Sequence, residues 1–187
     1  MAQAKGGEHV HVVSVKKETQ PMRRVVLEKV TVNMGLGEAG EKLAKAEKVL
    51  ESLVNQKPVR TLAKDSVRDW AIRKNSPIGI KATLRGAKAL DFLKRAFEVK
   101  ERRLPYRSFT HDGLVSFGIA DHTDFEGQRY NPEIGVFGMD VAISLARPGY
   151  RVKRRRVLAG RVHPAHRVTR EEAVLFLRDN FTVEVVE

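Results

Sequence analysis

The sequence predicts an α+β protein: a mostly antiparallel sheet with helices packed on one face (two layers), plus a basic C-terminal extension that carries a short helix. Three observations predict it. Several stretches alternate apolar and polar residues with the two-residue period of a half-covered strand. Two stretches among them repeat apolar residues every three or four positions, the period of a helix with one apolar side. Strand, helix and parallel strand never recur as a repeating unit, and alternating strands belong to a sheet with one covered and one open face.

Residues 1–22 read as a peripheral segment, with a short His-Val alternation that could form an edge strand. Residues 23–146 hold the α+β domain and 147–187 the basic tail. In the first clear strand Val26, Val30, Val32 and Met34 share one face, and Lys29, Thr31 and Asn33 the other. A GLGEAG turn follows. The next helix places Leu43, Ala46, Val49, Leu50, Leu53 and Val54 on one side and ends at Lys57-Pro58. VRTLAK is a short strand, broken at Asp65-Ser66. WAIRKNSPIGIKATLRG reads as a hairpin with arms Trp70–Arg73 and Ile80–Arg85 and a tip over Lys74–Gly79. A second helix over about Ala87–Phe97 turns Leu90, Leu93 and Phe97 inward. After a basic irregular stretch come LVSFGIA and VFGMDVAISLA, the latter alternating Met139, Val141, Ile143 and Leu145 with Asp140, Ala142 and Ser144. Residues 147–170 contain nine Lys or Arg and no acid. Thr169 and Glu172 then form a capping box before a short amphipathic helix.

Charge is the strongest global signal. Across 187 residues, 35 Lys plus Arg against 23 Asp plus Glu leave a formal charge of +12. Such an excess points to a polyanion, and the Arg content to phosphate. The sequence has no cysteine, which excludes disulfides, cysteine metal sites and thiol catalysis and suits a cytoplasmic protein. No apolar stretch approaches the length of a membrane span. His163 and His166 are separated by a two-residue gap, but Pro164 spoils a helical ligand arrangement, and no metal site is expected. His111-Asp112 and His122 with Asp124 come with no nucleophile motif.

Gly35, Gly37 and Gly40 match G-x-G-x-x-G, the turn that cradles a dinucleotide pyrophosphate. The preceding strand alternates, whereas a central parallel strand should be apolar on both faces. The next strand opens on Pro58 and carries Arg60 and Lys64. The glycines are therefore read as a tight exit that lets backbone pass close to a neighbour, and no cofactor is expected. The polar sheet face, with Lys29, Thr31, Asn33, Lys81, Thr83 and Arg85, suits RNA recognised by shape and backbone contact.

Three stretches, KVTVNMGLGEAG, NQKPVRTLAKDSV and IRKNSPIGIKATLRG, in this order and at these intervals, resemble the universal large-subunit ribosomal protein family, fifth in its series, that binds 5S rRNA. The resemblance runs from about Arg23 to Leu145. LARPGYRVKRRR…HRVTREEAVLF resembles the tail of the archaeal and eukaryotic form. Residues 1–22 do not resemble the long N-terminal helix of the bacterial form. The resemblance implies a structural, non-enzymatic ribosomal protein in the cytoplasm. It implies that Asn33, Gln56 and Thr83 form a polar patch on 5S rRNA. Arg60, Lys64, Lys81 and Arg85 would neutralise nearby phosphates, joined by Lys57. Arg73, Lys74, Asn75, Ser76 and Pro77 correspond to a loop that reaches the peptidyl-site tRNA. The stretch containing Arg102, Arg103, Tyr106 and Arg107 resembles the region that meets 23S rRNA, with help from Arg154, Arg155 and Arg156. The family lies in the central protuberance, beside the other 5S-binding protein and facing the small-subunit head.

Overall fold

The computed structural model describes residues 20–37, 40–128, 130, 132 and 135–186. The His-Val alternation near the N-terminus lies outside the described residues. The elements run β1 (Val26–Gly35), α1 (Glu41–Val54), β2 (Val59–Leu62), β3 (Pro77–Leu84), α2 (Ala87–Val99), β4 (Arg103–Pro105), β5 (Leu114–Ile119), β6 (Met139–Ala146), α3 (Arg151–Arg154), α4 (Arg170–Phe181) and β7 (Glu184–Val186). Five strands form one sheet in the order β2-β3-β1-β6-β5, every neighbour antiparallel. β4 and β7 form a separate parallel pair.

Alternation decides which face is covered. Val30, Val32 and Met34 of β1, Ile80, Ala82 and Leu84 of β3, Val115, Phe117 and Ile119 of β5, and Met139, Val141, Ile143 and Leu145 of β6 are buried in one cluster. The α1 residues expected inward, Leu43, Ala46, Val49, Leu50, Leu53 and Val54, are all buried in the same cluster. Each large aliphatic side chain so covered contributes roughly 1.5–3 kcal/mol. Helix α4 joins them through Ala173, Leu177 and Phe181, so the covering layer has three long helices and the C-terminal segment shares the core. Phe97 of α2 links them, its ring 5.5 Å from Phe117 and 5.2 Å from Phe181.

Helix ends are satisfied across elements. No basic residue lies in the last turn of α1. Two cations of α2 serve it instead: Arg95 donates to Leu53 O at 2.9 Å and Lys88 to Asn55 O at 3.2 Å. Both the free carbonyls and the negative end of the helix are thereby answered. At α4 the expected capping box is present, with Glu172 N donating to Thr169 Oγ1 and Thr169 N to Glu172 Oε2. Glu172 also receives the buried Arg147 guanidinium at 2.5 Å, which ties the end of β6 to the start of α4.

Three expectations are corrected. The hairpin arms are β2 and β3, not Trp70–Arg73 and Ile80–Arg85. Ala63 continues the β2 side, donating to Ser76 O at 2.9 Å and accepting from Asn75 N at 3.0 Å. Val67 and Ile72 bridge across a tight turn. The tip is therefore Arg68–Ala71, while Lys74–Ser76 belong to the returning limb and Pro77 opens β3. Second, Val26 is exposed and Leu27 packs against the core, because an irregularity between Leu27 and Lys29 shifts the register of β1 against β6. Third, Leu90 is 41% exposed; Ala89, Phe92 and Ala96 cover the sheet with Leu93 and Phe97.

Candidate RNA-binding face

The glycine turn after β1 meets protein. Leu36 and Gly37 N–H both donate to Ile78 O, at 3.1 and 3.0 Å. β3 runs antiparallel between β1 and β2, so the turn opens no crevice between adjacent parallel strands, the place where a dinucleotide sits. The close approach falls at Gly79, opposite Gly35. A Cβ there would lie 2.8 Å from Met34 O and 2.9 Å from Thr61 Oγ1. This glycine lets β2, β3 and β1 come together at the start of the hairpin.

The other side of the sheet is open. Thr31 pairs with Thr83 and with Ala142, and Asn33 with Lys81 and with Asp140, so these side chains share the face opposite the helices. Ser116 and Gly118 of β5 extend it. Lys81, Asp140, Ala142, Ser116 and Gly118 are exposed; Thr31, Asn33 and Thr83 are half-buried. Gln56 reaches the patch from the end of α1. Its Nε2 donates to Thr83 O at 3.3 Å, beyond the point where β2 stops pairing with β3. Asn33, Gln56 and Thr83 thus converge around β3, and Lys81 stands beside them.

Four other expected phosphate contacts separate. Arg60 lies opposite Ile80, on the helix side, where its Nε and NH2 donate to Glu47 Oε2 at 3.0 and 2.7 Å. It does not share the face of Lys81, because adjacent residues of a strand point to opposite sides. Lys57, Lys64 and Arg85 are exposed just outside the strands.

In the loop between β2 and β3, Arg73, Lys74 and Asn75 are exposed and Ser76 is half-buried, its hydroxyl donating to Arg73 O at 2.6 Å. Lys74 N–H donates to Ser66 Oγ at 2.9 Å, which fixes the limb. Sequence reasoning missed Trp70. It stands at the tip, 73% exposed, beside Arg68. The signal was an aromatic residue in a polar turn, obscured by reading WAIR as a strand.

The second basic region is partly neutralised from within. Arg103 faces Glu184 at 3.8 Å and Glu101 at 3.9 Å, and Arg102 faces Glu98 at 4.0 Å. Arg170 lies 4.8 Å over the ring of Tyr106, leaving one face of that ring for other contacts. Arg107 is exposed. In the tail, Arg154 pairs with Glu28, Arg155 donates to Leu158 O at 2.6 Å, and Arg156 is exposed. His163 Nδ1 accepts from Ala165 N–H, and His166 Nε2 is 2.9 Å from Pro148 O, so both imidazoles are engaged by backbone. His122 is buried, its Nδ1 accepting from Phe137 N–H at 3.2 Å; burial pushes its pKa below the ordinary value. Among the described residues no three ligating side chains gather into a metal site, and no helix is long and apolar enough to cross a membrane.

A basic two-layer protein with one largely open, mostly polar sheet face has the build of an RNA-binding protein, and comparison places this chain among the ribosomal ones. Residues 20–73 match the model of ribosomal protein L5, and residues 77–176 match the model of that family's C-terminus. Large ribosomal subunit protein uL5 of Sulfolobus acidocaldarius is 50% identical over 91% of this chain and 96% of its own length. The uL5 of Sulfurisphaera tokodaii is 53% identical over 91% and 98%, and that of Archaeoglobus fulgidus 52% over 84% and 88%. The chain belongs to the ribosomal protein L5 family.

Proposed function

We propose that this protein, a non-enzymatic structural constituent of the large ribosomal subunit, binds 5S rRNA through the open face of its sheet. The observation that carries the reading is the convergence of Asn33, Gln56, Thr83 and Lys81 on a face that no described segment covers at that point. The hydroxyl and amide groups suit 2′-hydroxyls and base edges, and Lys81 suits a phosphate. Lys57, Lys64 and Arg85, exposed just beyond the strand ends, add to the positive field around the patch. Arg60 contributes through the fold, by holding β2 against α1.

In the cytoplasmic ribosome the protein anchors 5S rRNA to 23S rRNA in the central protuberance. Tyr106, Arg107 and Arg156 supply the exposed contacts to 23S rRNA. Arg102, Arg103, Arg154 and Arg155 are engaged internally and act mainly by shaping that surface. The β2–β3 loop, with Arg73, Lys74, Asn75 and Trp70, lies toward the peptidyl-site tRNA. The neighbouring 5S-binding protein and the small-subunit head are the remaining partners. This reading is supported by the family and by the geometry of the face.

The test is binding to 5S rRNA against a control RNA of equal length at two salt concentrations. Wild type prefers 5S rRNA at both. Asn33→Ala or Thr83→Ala weakens that binding by about 1–2 kcal/mol while the unfolding midpoint changes little. Undiminished 5S affinity in both variants overturns the assignment of the patch.

A further inference from the structure

The basic tail folds back over the far end of the open face and closes a cleft of about 670 Å³. Its floor is a row across three strands, Lys29 of β1, Ser144 of β6 and Leu114 of β5, which pair in register. Its walls come from Tyr150, Lys153 and Arg161 of the tail. The volume lies within the range of small-molecule sites.

The cleft is held in shape by bonds that leave its cations available. Arg154 pairs with Glu28, joining α3 to β1. The Tyr150 hydroxyl accepts from Val168 N–H at 3.1 Å and donates to His166 O at 3.3 Å. Gly160 N–H donates to Val152 O at 3.1 Å and turns the chain back along the wall. Arg167 faces Asp112 at 4.0 Å. The remaining cations, Lys29, Lys153 and Arg161, form no ion pair among the described residues. Beside them Leu114 presents an apolar side chain that is 44% exposed.

Three available cations, the Ser144 hydroxyl and an apolar shelf in one pre-formed cleft match the parts of a nucleotide: phosphate, ribose and base. We propose that the cleft receives a single ribonucleotide extruded from its stack, with the phosphate among Lys29, Lys153 and Arg161 and the base against Leu114. This is a second RNA-binding element, distinct from the Asn33–Thr83 patch, and it rests on the RNA-binding reading above. A helix is too broad for the space, whereas unstacked nucleotides are what proteins read in folded RNA. Because the backbone of the walls is already tied down, the ordering cost of binding is confined to the Lys and Arg side chains.

The probe is adenosine 5′-monophosphate, titrated into the full chain and followed by NMR of the Leu114 methyls and the Ser144 and Gly160 amides. Saturable shifts at all three are expected. Inorganic phosphate shifts Gly160 but not Leu114. The variant Lys153→Ala/Arg161→Ala keeps the wild-type spectrum elsewhere, since both side chains are exposed, and loses the response. The proposal is overturned if Leu114 does not move, if inorganic phosphate moves it equally, or if the double variant responds like wild type. The 5S rRNA preference of the wild type is measured in parallel. Its absence would undo the functional reading, while its presence with an unresponsive Leu114 removes the cleft alone.

Discussion

Arg60 and Lys81 sit one step apart on paired strands, yet on opposite faces, and their removal should have opposite signatures. Arg60 opposes Ile80 and bonds Glu47; Lys81 opposes Val59 and Asn33 and extends from the open face. If Lys81 meets one phosphate, Lys81→Ala lowers the slope of log affinity against log salt by about 0.7–0.9. Between two salt concentrations differing fourfold, the wild type therefore loses about threefold more affinity than the variant. Its folding stability changes little. Arg60→Ala leaves the slope as it was. It costs instead up to about 1 kcal/mol of stability, because the Arg60 side chain is 53% exposed and the pair is screened by water. Filter binding to 5S rRNA over a salt series, with urea unfolding of each variant, reads both quantities. A flatter salt slope for Arg60→Ala, or an unchanged one for Lys81→Ala, refutes the assignment of faces to function.

Gly79→Ala drives a methyl to 2.8 Å from Met34 O, and a backbone atom cannot easily yield; a loss of about 1–3 kcal/mol is expected in urea unfolding. Arg147→Met severs a guanidinium that is 5% exposed from Glu172 and costs about 3 kcal/mol, whereas Arg102→Met, in a half-exposed 4.0 Å pair, costs less than about 1 kcal/mol. Burial lowers the folded pKa of His122 below its ordinary value of 6.5. The stability it contributes is complete above that value and is lost as pH falls toward the folded pKa. Thermal melts between pH 7 and 5 should show this decline, and His122→Asn, which retains an acceptor for Phe137 N–H, should show a smaller one. Equal declines in both proteins would place the pH sensitivity elsewhere.

Much of this was legible from period alone. The six apolar positions of α1 and the alternations of β3 and β6 each had one consistent solution, because burial rewards a single register. The strand face carrying Asn33 and Thr83 followed from the same alternation. Errors arose where local pattern and tertiary contact disagree. WAIR has strand-like residues but forms a turn, since Ala63 pairs instead with Asn75 and Ser76. Arg60 looked like a phosphate ligand because charge does not reveal its face, and Glu47 lies on a different element. Leu90 satisfied helical spacing, yet Ala89 and Phe92 occupy the covered side. The cleft around Leu114 could not be read at all, because it exists only once residues 150–167 fold back over β1, β5 and β6.

The small parallel pair has a temporal consequence. Arg103–Pro105 finds its only strand partner among the described residues in Glu184–Val186, and Arg102 O receives Glu184 N–H at 2.7 Å. During synthesis this cationic segment must wait some 80 residues for its counterpart, long after β5 and β6 have emerged. A nascent chain halted before α4 would carry all five strands of the main sheet with Arg103–Pro105 still lacking its strand partner. The edge beside Arg102 and Arg103 is thus completed only after every strand of the main sheet is available, when β7 arrives.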